Sequence, residues 1–133
     1  MPRERLNDFL EEARADFRKN NVELIYGTIR LIEKDDESFL PYAKQSYACT
    51  IFNLHTVHTP AGIAHSAAAF RRLIDMAARR SGTYFLTYHR YADKKQVEAC
   101  YPEFAEFLQL KRKHDPHEVF VSDWYLHYKK MFA

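Results

Sequence analysis

The sequence predicts an α+β domain: an antiparallel sheet with helices on one face, followed by a helical C-terminal tail. Apolar residues recur at three- and four-residue spacing in several long segments. Between them lie β-branched and aromatic runs that alternate with period two. Asn20-Asn21, Ser81-Gly82 and Asp115-Pro116 punctuate the chain where one pattern gives way to the next.

From Glu4 to Lys19, Leu6, Phe9, Leu10, Ala13 and Phe17 recur on one face with charges between them, which predicts an amphipathic first helix ended by Asn20-Asn21. Val22 to Glu33 (VELIYGTIRLIE) reads as a long strand. Ile25, Gly27, Ile29 and Leu31 fall on one side, expected to face the core, and Tyr26, Thr28, Arg30 and Ile32 on the other. A polar connection leads to a second strand, Tyr47 to His55. There Thr50, Phe52 and Leu54 alternate with Cys49, Ile51, Asn53 and His55. Thr59 is the expected N-cap and Pro60 the first residue of a helix reaching about Arg80, with Ser81-Gly82 as its stop. Thr83 to His89 (TYFLTYH) reads as a third strand. Helices follow over Asp93 to Cys100 and Glu103 to Lys113, and Ser122 or Asp123 caps a short last one.

The order α-β-β-α-β-α-α becomes the βαββαβ of a ferredoxin-like sandwich if one strand is added before the first helix. The expected organisation is a sandwich over residues 1–92 with its first strand absent, and a helical tail over 93–133, in one compact unit. An unpaired neighbouring strand is a liability, so the chain is expected either to pair with a copy of itself or to derive from one that continued upstream.

Composition narrows the function. The 133 residues, 47% hydrophobic with 10 Phe, 9 Tyr and 1 Trp, suffice for one cored domain. Lys+Arg 20 against Asp+Glu 18 leaves +2, which gives no reason to expect nucleic acid as a partner. Three glycines and no Gly-rich loop argue against a self-contained dinucleotide site. Two cysteines make no disulfide framework and no zinc motif. With no signal peptide and no apolar run of membrane-spanning length, a soluble protein of the reducing cytoplasm is the expectation.

Among chemical candidates, His55-x-x-His58 would point its rings to opposite sides and has no carboxylate at ligand spacing, so no metal site is expected. Cys49 and His55 share a strand face but lie roughly 20 Å apart at 3.3 Å per residue, too far for a nucleophilic pair. His114 and His117 flank a turn and should be solvated. Arg71-Arg72, Arg79-Arg80 and Lys111-Arg112-Lys113 read as helix-terminal charges that keep the surface wet. The aromatic run Tyr84, Phe85, Tyr88 and Tyr91 reads as core. One constellation remains. Thr28, Arg30, Asn53 and His55 lie opposite the apolar faces of adjacent strands, and Tyr88 and His89 at the end of the third strand can join them. Hydroxyl, amide, imidazole and guanidinium groups together suit a polyol or sugar-like ligand, with Arg30 able to grip an acidic group. An ordinary solvated sheet face fits the same pattern.

The segment SGTYFLTYHRYADKKQVEACYPEFAEFLQLKRKHDPHEVFVSDWYLHY, and YPEFAEFLQLKRKHDPHEVFVSDW most specifically, resembles the C-terminal end of FAD-linked oxidoreductases of the vanillyl-alcohol-oxidase type. It is most similar to sugar and sugar-lactone oxidases, the arabinono-lactone and alditol oxidases among them. The upstream LIYGTIRLI and TIFNLH strands resemble that family's substrate, or cap, domain. The resemblance implies a cap whose sheet roofs a flavin, with strand residues holding sugar hydroxyls. Arg30 matches a substrate-binding arginine of the alditol-oxidase branch, and Asn53 and His55 fall where relatives place polar substrate-facing groups. Thr28 stands where that branch has a glutamate, and Tyr88 where many relatives carry a lysine.

The family's Gly-rich flavin-binding region has no counterpart in these residues. The resemblance therefore implies the substrate-domain portion of an FAD-dependent oxidoreductase, inactive alone, with the residues that would hold FAD lying elsewhere. The tail from Phe120 to Phe132 is then expected to pack on a flavin-binding domain or subunit. Without it, those aromatics need another partner, and a homo-oligomer is expected. Two alternatives stand beside this reading: a stand-alone ferredoxin-like module for a small ligand or a protein, and an accessory subunit of a flavoprotein.

Overall fold

The computed structural model describes residues 1–133. A single 3-10 turn (Arg3–Arg5) leads into α1 (Leu6–Lys19), followed by β1 (Leu24–Ile32), β2 (Tyr47–Leu54), α2 (Pro60–Ala78), α3 (Lys94–Cys100), α4 (Phe104–His114) and α5 (Asp123–Met131). The fold is α+β, with two antiparallel strands in one open sheet.

Local chemistry sets most boundaries where the sequence put them. Asn20 closes α1, its side-chain amide donating to the Asp16 carbonyl, and Asn21 turns the chain at φ 51°. The Thr59 hydroxyl accepts the Gly62 N–H at 3.1 Å to start α2. At the end of α2 it is Ser81, at φ 55°, that takes the left-handed conformation, while the Gly82 N–H returns to the Ala77 carbonyl. A side chain on Gly82 would collide with that carbonyl and with Met1. Asp93 and Gln96 form a reciprocal capping box on α3. Of the two candidates for the last helix, Ser122 is the cap, accepting the Tyr125 N–H.

Opposite partners in the sheet share a face. Tyr26/Asn53, Thr28/Ile51 and Arg30/Cys49 lie on one side, and Gly27/Phe52, Ile29/Thr50 and Leu31/Ala48 on the other. The second side meets the helices. Phe52 packs edge-on against Phe17 at 5.4 Å and tilted against Phe9 at 6.1 Å. Leu54 is buried with Phe9, Ala13, Leu73 and Met76. A second core forms beyond α2, where Ile74 meets Val97, Cys100, Phe104, Leu108, Tyr125 and Tyr128.

Three expectations are corrected. Thr83–His89 forms no strand. Side chains from the C-terminal region claim its backbone instead: the Tyr101 hydroxyl donates to the Tyr84 carbonyl, and Trp124 Nε1 to that of Leu86 at 2.9 Å. The apolar row of β1 is not core. Ile29 and Leu31 face the helix side but remain 50% and 66% exposed, because the helices sit over β2 and leave its outer neighbour uncovered. Ile25 has no partner in the ladder, where the register shifts between Leu24 and Tyr26. The basic pairs do more than wet the surface. Arg72 bonds Asp16, and Arg79 and Arg80 both reach Glu12, tying α2 to α1. Several aromatics of the C-terminal region pack within the chain, where Phe104 is ringed by Phe107, Trp124, Tyr128 and Phe132. What stays exposed there is Val119, Phe120, Val121 and Leu126.

Candidate functional site

The principal concavity is a groove of about 300 Å³ along the edge of β2 that faces away from β1. Its floor comes from Ala48 to Phe52, one wall from Phe70, Leu73 and Ile74 of α2, and the other from the segment between Thr83 and Ala92. Of its 22 lining residues 18 are hydrophobic, and Arg30 is the only Lys or Arg among them; no Asp or Glu lines it. None of the ion pairs in the fold involves Arg30. An exposed, uncommitted guanidinium at the mouth of an apolar groove can hold a carboxylate, or the carbonyl of a polar ring, by paired N–H donors.

The sequence-derived site residues separate into two groups. Arg30, Thr28 and Asn53 do share the uncovered sheet face, through the pairs named above. Tyr88 and His89 line the groove with Arg30, though from a turn and not from a strand end. Tyr88 stands 67% exposed with its ring edge-on to Phe85. His89 stacks on Tyr91 at 5.0 Å and lies 4.6 Å from Phe70. Burial lowers its pKa below the ordinary imidazole value, which favours the neutral ring as a hydrogen-bond partner near neutral pH.

His55 does not join them. Its Nδ1 is 2.6 Å from Glu23 Oε2, and its ring lines a separate, polar hollow with Asn21, His65 and Ser66. The register shift near Leu24 puts Glu23 opposite His55, and a one-residue shift of that kind is not visible in either strand's alternation.

Two groove residues escaped the sequence reading. Tyr42, from the connection between the strands, donates its hydroxyl hydrogen to Cys49 Sγ, and its pKa is raised by burial and by that thiol. Thr83 is buried and donates to the Tyr42 carbonyl at 2.5 Å, which anchors the connection to the start of the far wall. A tyrosine within KDDESFLPYAKQ carries no periodicity that could have marked it.

Three of the helix starts leave no free N–H cluster for the pyrophosphate of a dinucleotide flavin. Gly62 is the one glycine in a helical first turn, but its N–H is taken by Thr59 and its α-carbon abuts the Val57 carbonyl. The starts of α3 and α5 are likewise closed by Asp93 and Ser122. No three His, Cys, Asp or Glu side chains gather closely enough to hold a metal ion. No helix is long and apolar enough to cross a membrane.

A family model described as D-arabinono-1,4-lactone oxidase matches residues 1–128. No curated protein and no solved structure matches the chain.

Proposed function

The chain belongs to the D-arabinono-1,4-lactone oxidase family, and from that membership we propose that these residues form the substrate-side portion of a flavin-dependent oxidoreductase acting on a sugar-derived alcohol or lactone. The observation that carries the proposal is the placement of Arg30: unpaired, on the same uncovered face as Thr28 and Asn53, and at the groove that Tyr88 and His89 line. Such a face can orient a hydroxylated ring, with Arg30 taking the carbonyl or carboxylate end and Asn53 and Thr28 the hydroxyls. The hydride acceptor would be an FAD held outside these 133 residues, and the chain alone would turn over no lactone. The exposed Val119, Phe120 and Val121 offer a surface on which a flavin-bearing domain or subunit could close.

Calorimetric titration with D-arabinono-1,4-lactone tests this reading. Weak binding is expected, lost in Arg30→Ala and kept in His55→Ala. Binding indifferent to Arg30→Ala, or a flavin that co-purifies with the chain alone, would overturn it. Tight binding that needs no flavin-bearing partner would favour a stand-alone ligand-binding module.

A further inference from the structure

The outer edge of β2 already carries the beginning of a hydrogen-bonded ladder. The Met1 carbonyl accepts the Ala48 N–H at 2.9 Å, and the Met1 amino group donates back to the Ala48 carbonyl at 3.3 Å. An antiparallel bridge between Pro2 and Tyr47 extends the pair. In an antiparallel ladder successive residues address opposite neighbours. Because Ala48 addresses Met1, the backbone groups of Cys49 and Ile51 belong to the β1 side, and those of Thr50 and Phe52 point into the groove.

Three further observations converge on the same edge. The groove runs alongside those backbone groups, and its lining is overwhelmingly apolar. The Thr50 hydroxyl is buried without a hydrogen-bond partner. Across the groove lies Thr83–His89, strand-like in composition but paired with no strand.

We infer that this edge accepts one extended polypeptide segment from outside the 133 residues, running antiparallel to β2 in line with Met1 and Pro2. Partners across an antiparallel pair share a face, so the incoming residues opposite Thr50 and Phe52 project towards Phe9, Phe70 and Leu73 and must be apolar. The residue opposite Ile51 projects to the side of Arg30 and adds to that face. Main-chain bonds would supply much of the affinity and this alternation the specificity.

A second copy has only the outer edges of its own two-stranded sheet to offer, because two carbonyls of the Thr83–His89 segment are taken and the Val119 and Phe120 N–H groups are bonded to Asp115. The inferred segment instead continues the line of Met1 and Pro2, which already pair with this edge. The segment would fill the part of the groove beside Thr50 and Phe52 and leave Thr28, Arg30 and Asn53 on the opposite face of the sheet, so the inference stands whether or not the lactone reading holds.

The test tethers a strand to the edge. Two versions of the full chain carry an amino-terminal extension of about seven residues, enough for roughly 20 Å of strand. One alternates threonine and valine, with valine at the second and fourth residues before Met1. The other has the same length with proline at alternate positions, which removes amide donors. In the first, amide exchange at Thr50 and Phe52 should slow by at least about tenfold relative to the unextended chain, and Tm should rise. The proline version should show neither change. Equal behaviour of the two versions would overturn the inference, as would protection confined to the outer edge of β1. So would an unextended chain that sediments as a dimer with Thr50 and Phe52 already protected, since a second copy would then hold the edge.

Discussion

Arg72 on α2 donates its Nε to Oδ1 of Asp16 on α1 at 2.8 Å, with only 11% of the Asp16 side chain exposed. The Asn20 side-chain amide shares the same oxygen. This pair fastens the two helices that cover β2. Removing one member strands the other's charge in a site that water reaches poorly, which is where a paired charge becomes expensive.

Asp16→Ala is therefore expected to destabilise the fold by about 2 kcal/mol, less than for a fully dry pair because Arg72 remains 31% exposed. The double variant Asp16→Ala/Arg72→Ala should lose less than the sum of the singles, because neither charge is left alone. Urea unfolding of the three variants checks this. Strict additivity would mean that the pair contributes nothing beyond its two side chains.

Phe104 is fully buried, and its ring meets Tyr128 at 5.0 Å, Phe132 at 5.3 Å and Trp124 at 5.8 Å. Phe104→Ala should cost about 3–5 kcal/mol, the range for a buried aromatic whose cavity cannot collapse. The loss should appear first as release of α5, read as a red shift of Trp124 fluorescence at denaturant concentrations that leave α1 and α2 intact. Phe120→Ala, at a position 79% exposed, should change stability by no more than about 0.5 kcal/mol.

Helices were legible in the sequence because their signals are local: Thr59-Pro60, Asn20-Asn21 and the apolar periodicity of α1 each act within a turn or two. The shared face of Arg30 and Asn53 was legible for the same reason, since alternation is local. Thr83–His89 was not. A strand exists only where a neighbour completes its ladder, and composition says nothing about whether that neighbour is present. Here Tyr101 and Trp124 compete for the carbonyls from far along the chain. Burial of β1 failed in the same way: Ile29 and Leu31 have the right spacing, but spacing cannot tell how far a helix reaches across a sheet.

Asp115 makes a prediction about acid. Its carboxylate accepts a hydrogen bond from Lys111 and the N–H groups of Val119 and Phe120, and these hold its pKa at about 2, below the ordinary 3.8. A depressed carboxylate contributes stability that is present above its unfolded pKa and lost as the pH falls through its folded one. Asp115→Asn should therefore be less stable than the parent near neutral pH. The difference should shrink between about pH 4 and pH 2. A gap that stays constant over that window would assign the effect to shape and not to charge. Stability measured by urea unfolding at each pH decides it.

The two cysteines should part company under alkylation. Cys100 is 1% exposed within the second core, and burial pushes its thiol up to about 11. At pH 8 almost none of it is the reactive thiolate. Cys49 lies half-buried at the groove, with its sulfur beside the Tyr42 hydroxyl. Iodoacetamide at pH 8 should modify Cys49 alone in the folded chain, and Cys100 only once the second core opens. Phe104→Ala, by loosening that core, should speed the Cys100 reaction while leaving the Cys49 rate unchanged. Equal labelling of both thiols in the parent protein would mean that the C-terminal helices open on the timescale of the reaction, and that the core around Phe104 is not the barrier its burial implies.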